Sequence, residues 1–267
     1  VLEVRPIYTA ENCEKAYQLN WSVSLFGREQ LEIAPYTLDA LRPITEADGV
    51  RILEHRQLHA DTFQFLVSTQ PDTTPSEIIR SLKGRIQYLI RDSQPKAFRR
   101  NYFIASLGEV NSKILNEYIQ HQTAKHPMAA EHIQERFEQL QYFDDQIDLA
   151  KVITGNYGQF IYAIQIVIEN AEHWHEARID VLRKHRDMIV QVARKKEWQL
   201  SRIGIVSNHT HLLLGPHMIE SPESVALSLL NNLAYAQGMK PVFRFSYYVG
   251  GFGAYDRGAI RKHLGLR

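Results

Sequence analysis

LSRIGIVSNHTHLLLG, residues 200–215, ends an apolar run with two histidines one residue apart. Its meaning depends on LHADTFQFLVS, residues 58–68, far upstream in the same chain. An interval of 147 residues separates Thr62 from His209, Gln64 from His211 and Pro75 from Pro222. After a slip of two residues the interval is 145 for Phe98 and Phe243, Tyr102 and Tyr247, and Gly108 and Gly253. Blocks paired in the same order with one small gap mark a tandem duplication, and a repeat sets the fold expectation for the whole chain.

Each copy alternates strands with helices. In the second, GQFIYAIQIVIE (158–169), LSRIGIVSNHTHLLLG and FRFSYYVGGFG (243–253) read as strands, rich in Ile, Val, Phe and Tyr. HEARIDVLRKHRDMIVQVARKKE (175–197), the segment opening SPESVALSLLNNL (221–233) and DRGAIRKHL (256–264) read as helices. In the first, AYQLNWSVSLFG (16–27), LHADTFQFLVS and FRRNYFIASLG (98–108) are strands, and TPSEIIRSLKGRIQYLI (74–90) and NSKILNEYIQHQ (111–122) are helices. The expectation is an α+β sandwich, helices on a sheet, made twice. It comprises a first unit over 1–122, a helical connector over 123–157 and a second unit over 158–267.

Composition narrows the class without choosing a function. With 267 residues, 44% hydrophobic and 23% charged, the chain is an ordinary globular protein. Its one cysteine, Cys13, excludes a disulfide framework and a cysteine-based zinc site, and it fits a reducing, cytoplasmic compartment. No apolar run approaches the ~20 residues of a membrane helix, and the first residues lack the layout of a secretory signal. The net charge of +1 gives nucleic-acid binding little support from bulk electrostatics.

The chemistry is in two local patterns. On a strand, His209 and His211 share a face while Thr210 turns away, so two imidazoles can grip one divalent ion if a third ligand arrives from elsewhere. A bare His-x-His is more often a hydrogen-bonded strand pair. On the helix 111–122, Tyr118 and Gln122 stand one turn apart on one face.

NHTHLLLG, TPSEIIRSLKGRIQYLIR and NYFIASLGEVNSKILNEYIQHQ together resemble the single-tyrosine HUH transposases of bacterial insertion sequences, including those associated with repetitive extragenic palindromes. The resemblance implies two tandem ferredoxin-like (RRM-like) units, each an antiparallel sheet with helices. It implies metal-dependent nicking and joining of single-stranded or hairpin DNA, with Tyr118 as nucleophile, a 5′-phosphotyrosine intermediate, and His209, His211 and Gln122 holding Mg²⁺ or Mn²⁺. The two copies depart from the family in complementary ways. The first has Thr62 and Gln64 at the histidine positions; the second has His263 and Arg267 at the tyrosine and glutamine positions. Family members share sites between subunits, so one composite site in a fused pseudo-dimer is expected, with further dimerisation open. Lys83, Arg85, Tyr88 and Arg91 are the candidates for DNA contact. Two rivals stand beside this reading: a non-catalytic DNA- or RNA-binding descendant, and an unrelated metalloenzyme using His217.

Overall fold

The computed structural model describes residues 5–108, 112–120 and 131–253. The last helix expected at 256–264 lies outside them, as do Gln122, His263 and Arg267. The first unit supplies β1 (Glu14–Gln18), β2 (Asn20–Gly27), α1 (Pro35–Ala47), β3 (Val50–His59), β4 (Thr62–Thr69), α2 (Pro75–Ile90), β5 (Phe98–Leu107) and α3 (Ser112–Gln120). Between the units come α4 (Glu131–Glu138) and two short strands, β6 (Tyr142–Phe143) and β7 (Ile153–Thr154). The second unit supplies β8 (Gln159–Ile161), β9 (Ala163–Glu169), α5 (Ile179–Lys195), β10 (Gln199–Ile205), β11 (His209–Gly215), α6 (Pro222–Ala236) and β12 (Ser246–Phe252).

Two six-stranded sheets result, ordered β3-β4-β2-β5-β8-β7 and β1-β12-β9-β11-β10-β6. Within each, the unit's own four strands are antiparallel neighbours in the same relative order, with two helices in the βαββαβ succession of a ferredoxin-like fold. The mixed α+β class and the repeat read from the sequence are both present. Helix starts repeat as well. Thr74 accepts from the Glu77 amide at 3.1 Å and its own amide donates to Glu77 Oε2 at 2.9 Å, a capping box ahead of Pro75. Ser221 accepts from the Ser224 amide at 3.1 Å ahead of Pro222. These caps fix the two helix registers on which the 147-residue interval rests.

Four stretches read as single strands are each two, among them GQFIYAIQIVIE, which breaks at Tyr162 into β8 and β9. LHADTFQFLVS turns at Ala60 and Asp61 to make the β3–β4 hairpin, and LSRIGIVSNHTHLLLG turns at 206–208 to make β10–β11. AYQLNWSVSLFG breaks at Leu19, because β1 leaves its own unit. It pairs in parallel with β12 (Lys15↔Tyr247), while β8 pairs in parallel with β5 (Ile104↔Phe160). Each unit thus lends its first strand to the other's sheet, and Leu19 and Tyr162, 1% and 3% exposed, are the single residues at the crossovers. Helix α1 and strand β3 before Leu58 had no counterpart in the sequence reading.

Where the units meet, their backbones nearly touch. Ser106 Oγ on β5 donates to the Phe252 carbonyl at 2.7 Å and accepts from the Ala163 amide at 2.9 Å. A Cβ on Gly251 would lie 2.8 Å from the Leu107 carbonyl oxygen, and one on Gly253 would lie 2.6 Å from that of Ser106, so only glycine fits this seam. Trp21 on β2 lies fully buried nearby. Its indole donates to Thr69 Oγ1 at 3.0 Å and its ring lies 5.4 Å from that of Tyr162. Trp21→Ala should therefore cost roughly 3–5 kcal/mol. Because the exchanged strands couple the units, denaturant unfolding should stay a single transition by every probe; two separated transitions would show the units to be independent.

Candidate active site

Strand β11 divides its side chains between two environments. Leu212 and Leu214 enter the main core with Leu182, Ile189, Leu229 and Leu230 of α5 and α6. His209, His211 and Leu213 face the other way, as the period of two requires. That second face is covered by α3, a helix of the first unit: Leu115 and Ile119, 6% and 1% exposed, pack on Leu149, Ala163, Leu213 and Phe252. Spacings of three and four residues put Tyr118 on the same helix face, half-buried at the edge of the cluster, while Ile114, one turn before Tyr118, is 51% exposed.

The result brings together residues 91 positions or more apart. The Tyr118 ring centroid lies 5.8 Å from that of His211, edge-on at 64°. The His209 and His211 rings are 4.9 Å apart at 65°. His211 is 8% exposed and its Nδ1 lies 3.0 Å from the Gln165 side-chain nitrogen; His209 Nδ1 lies 2.8 Å from Asn208 Oδ1. An amide on Nδ1 fixes the ring and directs Nε2 toward a ligand. Asn208 suits this directly by accepting the Nδ1 proton. Gln165 does so once its amide turns to present oxygen. Two imidazoles on one strand face, each steadied through Nδ1, fit a divalent ion that takes its remaining ligands from an amide, substrate or water. No group of three or more His, Cys, Asp or Glu able to hold a metal occurs among the described residues, so the pair needs help from another ligand type. Gln122, expected in that role, lies outside the described residues.

Gln165 was missed in the sequence, although it alone interrupts the apolar residues of AIQIVIE before the terminal Glu169 of β9. Glu169, also unread, pairs across the sheet with His209 and carries Arg244 at 3.0 Å. His217, offered for the rival metalloenzyme, instead bonds the Lys196 carbonyl at 3.0 Å. That rival required Tyr118 to be remote from the histidines, which it is not.

The first unit keeps the same wiring with different chemistry. Gln64 Nε2 donates to Ser22 Oγ at 2.9 Å, along the same diagonal that links His211 to Gln165, and Thr62 Oγ1 donates to Asp61 at 3.0 Å where His209 meets Asn208. Neither Thr62 nor Gln64 supplies an imidazole.

The four residues expected to meet DNA lie on α2 and just past its end, already engaged. Lys83 donates to the Arg99 and Arg100 carbonyls, and burial pushes its ammonium below the usual range. Arg85 grips Asp48 at 2.9 and 3.1 Å. Arg91 lies 4.5 Å from the Tyr88 ring centroid. Asp48 and Glu77 also line the groove beside Arg80, Arg85 and Tyr88, so this face is of mixed sign. Among the described residues no helix is long and apolar enough to cross a membrane.

Residues 28–122 match the family described as Transposase IS200 like, a span that includes Tyr118, Gln122, Thr62 and Gln64. This is the family the sequence resembled. No curated protein matches the chain. Among solved structures, a candidate transposase of Deinococcus radiodurans R1 is 16% identical with a TM-score of 0.31, over 42% of this chain and 95% of its own. A REP-associated tyrosine transposase bound to a REP hairpin is 12% identical with a TM-score of 0.32, over 43% of this chain and 65% of its own. A microcompartment protein of Desulfitobacterium hafniense DCB covers 92% of this chain and 99% of its own, at 10% identity and a TM-score of 0.21.

Because α3 is held by a small cluster separate from the main core, its docking is testable alone. Ile119→Asp would bury a carboxylate with no counter-charge among Leu115, Leu213 and Phe252, a change costing on the order of 3 kcal/mol. Hydrogen exchange should accelerate across 112–120 while the centre of β11 stays protected; unchanged exchange in α3 would mean that the cluster does not hold it.

Proposed function

We propose that the chain nicks and rejoins single-stranded DNA by transesterification at one composite site, with Tyr118 of the first unit as nucleophile and His209 and His211 of the second as metal ligands. The observation that supports this most is the 5.8 Å approach of the Tyr118 and His211 rings, since each unit lacks what the other retains. The chain is then a pseudo-dimer with one live site and one site disabled at Thr62, Gln64, His263 and Arg267.

The Tyr118 oxygen loses its proton and attacks the scissile phosphorus; the P–O3′ bond breaks, and the leaving 3′ oxygen takes up a proton. A 5′-phosphotyrosine bond replaces the broken phosphodiester, so attack by a 3′-hydroxyl reverses the step with no nucleotide cofactor. A bound Mg²⁺ or Mn²⁺ supplies polarisation of the phosphate and offsets the charge developing on its oxygens. His209 and His211, with Gln122, hold that ion. Gln165 and Asn208 orient the imidazoles, and the apolar contacts of Leu115 and Ile119 keep the tyrosine beside them. A single tyrosine performs one cleavage at a time, so nicking and joining is the reaction proposed, not a complete transposition cycle.

The test incubates the protein with single strands from both sides of its own locus, with Mn²⁺ or EDTA, and resolves protein–DNA adducts on a denaturing gel. A metal-dependent adduct, lost in Tyr118→Phe and in His209→Ala, is expected. Firm binding of the same DNA with no adduct would favour a non-catalytic descendant that binds structured DNA or RNA. Gln165→Leu and Asn208→Ala should each weaken Mn²⁺ binding by about 10–100-fold in calorimetric titration. Unaltered affinity in both would remove the orienting role.

A further inference from the structure

Behind the turn that feeds His209, the second unit encloses a cavity of ≈ 450 Å³ between the 3₁₀ turn Ala171–His173, the first turns of α5 and the end of α6. This is the size range of small-ligand sites, roughly 300–1,000 Å³. Val181, Pro241 and Val242 give it apolar wall, and Glu176, His185 and Gln237 give it polar wall. Two buried nitrogens on its lining residues, His185 Nε2 and Gln237 Nε2, have no hydrogen-bond partner among the described residues. His185 is only 6% exposed, and burial holds its pKa down to about 4 against the opposing pull of Glu176, so the ring is neutral near pH 7. Burying such groups unpaired is unfavourable, so a ligand that pairs them gains from the site.

The fold does not require a polar residue here. Gln237 stands fifteen residues beyond Pro222; fifteen beyond Pro75 the first unit has Ile90, 5% exposed and part of the core. The mouth is built from different material. Trp174 is 60% exposed, and Arg178 remains 68% exposed while it holds Glu176 at 2.7 and 3.0 Å. The wall is also continuous with the histidine strand. Asn170 gives its side-chain amide to the Trp174 and Ser207 carbonyls at 2.9 and 2.8 Å, and its backbone amide to the Asn208 carbonyl at 2.8 Å. The Glu176 amide donates to Ser207 at 2.7 Å.

We propose that this cavity receives one unpaired base of the DNA strand, its polar edge toward His185 and Gln237, with Trp174 and Arg178 at the mouth. A base is planar and carries donors and acceptors along one edge, which suits a partly apolar slot whose lining residues His185 and Gln237 each carry a buried, unpaired nitrogen. An aromatic at the mouth offers stacking, and a guanidinium there offers contact to the phosphate that remains outside. The site is too small for a duplex. Through Asn170 and Glu176 it sits at the end of the sheet where His209 begins, so it would anchor the strand beside the proposed cleavage site. The inference rests on DNA being the substrate but not on Tyr118 chemistry.

The test is a two-dimensional ¹H–¹⁵N titration of the full chain, without metal, using millimolar dAMP, dCMP, dGMP and dTMP in turn. At least one should shift the Gln237 side-chain amide and the Trp174 indole signals saturably. Gln237→Leu, which imitates the apolar residue of the first unit, should raise that Kd at least about ten-fold, the loss expected for one base-edge contact. Trp174→Ala, at an exposed position, should weaken the same binding without touching the core. No shift of either signal with any of the four nucleotides would overturn the proposal, and so would shifts that persist unchanged in both variants. Because nothing is cleaved in this titration, a DNA adduct with no base binding rejects the cavity alone. Base binding with no adduct rejects the nicking alone.

Discussion

The seam between β5 and β12 positions everything at the site. Ser106 bonds across it to the Phe252 carbonyl and the Ala163 amide, and Gly251 and Gly253 admit the backbone of Leu107 and Ser106 where any side chain would collide. Strand β5 ends at Leu107, so the chain leaves the first unit already against the second unit's sheet. Helix α3, five residues on, then has the second unit's open face to cover. Its apolar side chains find Leu213, Ala163 and Phe252 there, and the tyrosine arrives beside the histidines as part of the same docking. Backbone proximity comes first and side-chain chemistry follows from it.

The reciprocal exchange of β1 and β8 reinforces this arrangement. A parallel pairing is less easily made than a hairpin because its strands are far apart in sequence. Here each exchanged strand is followed after one residue by the central strand of its own unit, so the lending strand is tied to two sheets at once. Trp21 and Tyr162, in contact across the crossovers, are buried by both units. Separating the units would expose this aromatic pair and break both pairings. For the proposed composite site, this coupling is the physical reason that one complete set of groups, shared between the two copies, would suffice at one junction.

Much of this was legible in the sequence because it depends on local rules. TPSE and SPES are helix starts by their own chemistry, and their constant interval reveals the repeat. The period of two places His209 and His211 on one face, and the period of the helix places Leu115, Tyr118 and Ile119 together. The strand exchange was not legible. In AYQLNWSVSLFG, Leu19 stands between Gln18 and Asn20 with no glycine or proline beside it, so nothing marks the point where the chain changes sheets. The hairpins were hidden for a similar reason, since HAD and VSN carry no glycine or proline to announce a turn. Gln165 and Glu169 gain meaning only from cross-strand register, which no single stretch contains. The cavity around His185 and Gln237 is likewise a property of three separated segments.

The measurement that bears most directly on a composite site is the distance from a bound Mn²⁺ to the Tyr118 ring. The chain would carry fluorinated tyrosine, with the Tyr118 ¹⁹F signal assigned by Tyr118→Phe, and spectra would be taken at dilutions where it is monomeric. The account predicts that one equivalent of Mn²⁺ broadens the Tyr118 signal strongly through paramagnetic relaxation, and that His209→Ala restores it. A Tyr118 signal that stays sharp while Mn²⁺ is bound at His209 and His211 would contradict it, because the tyrosine and the histidines would then belong to different sites.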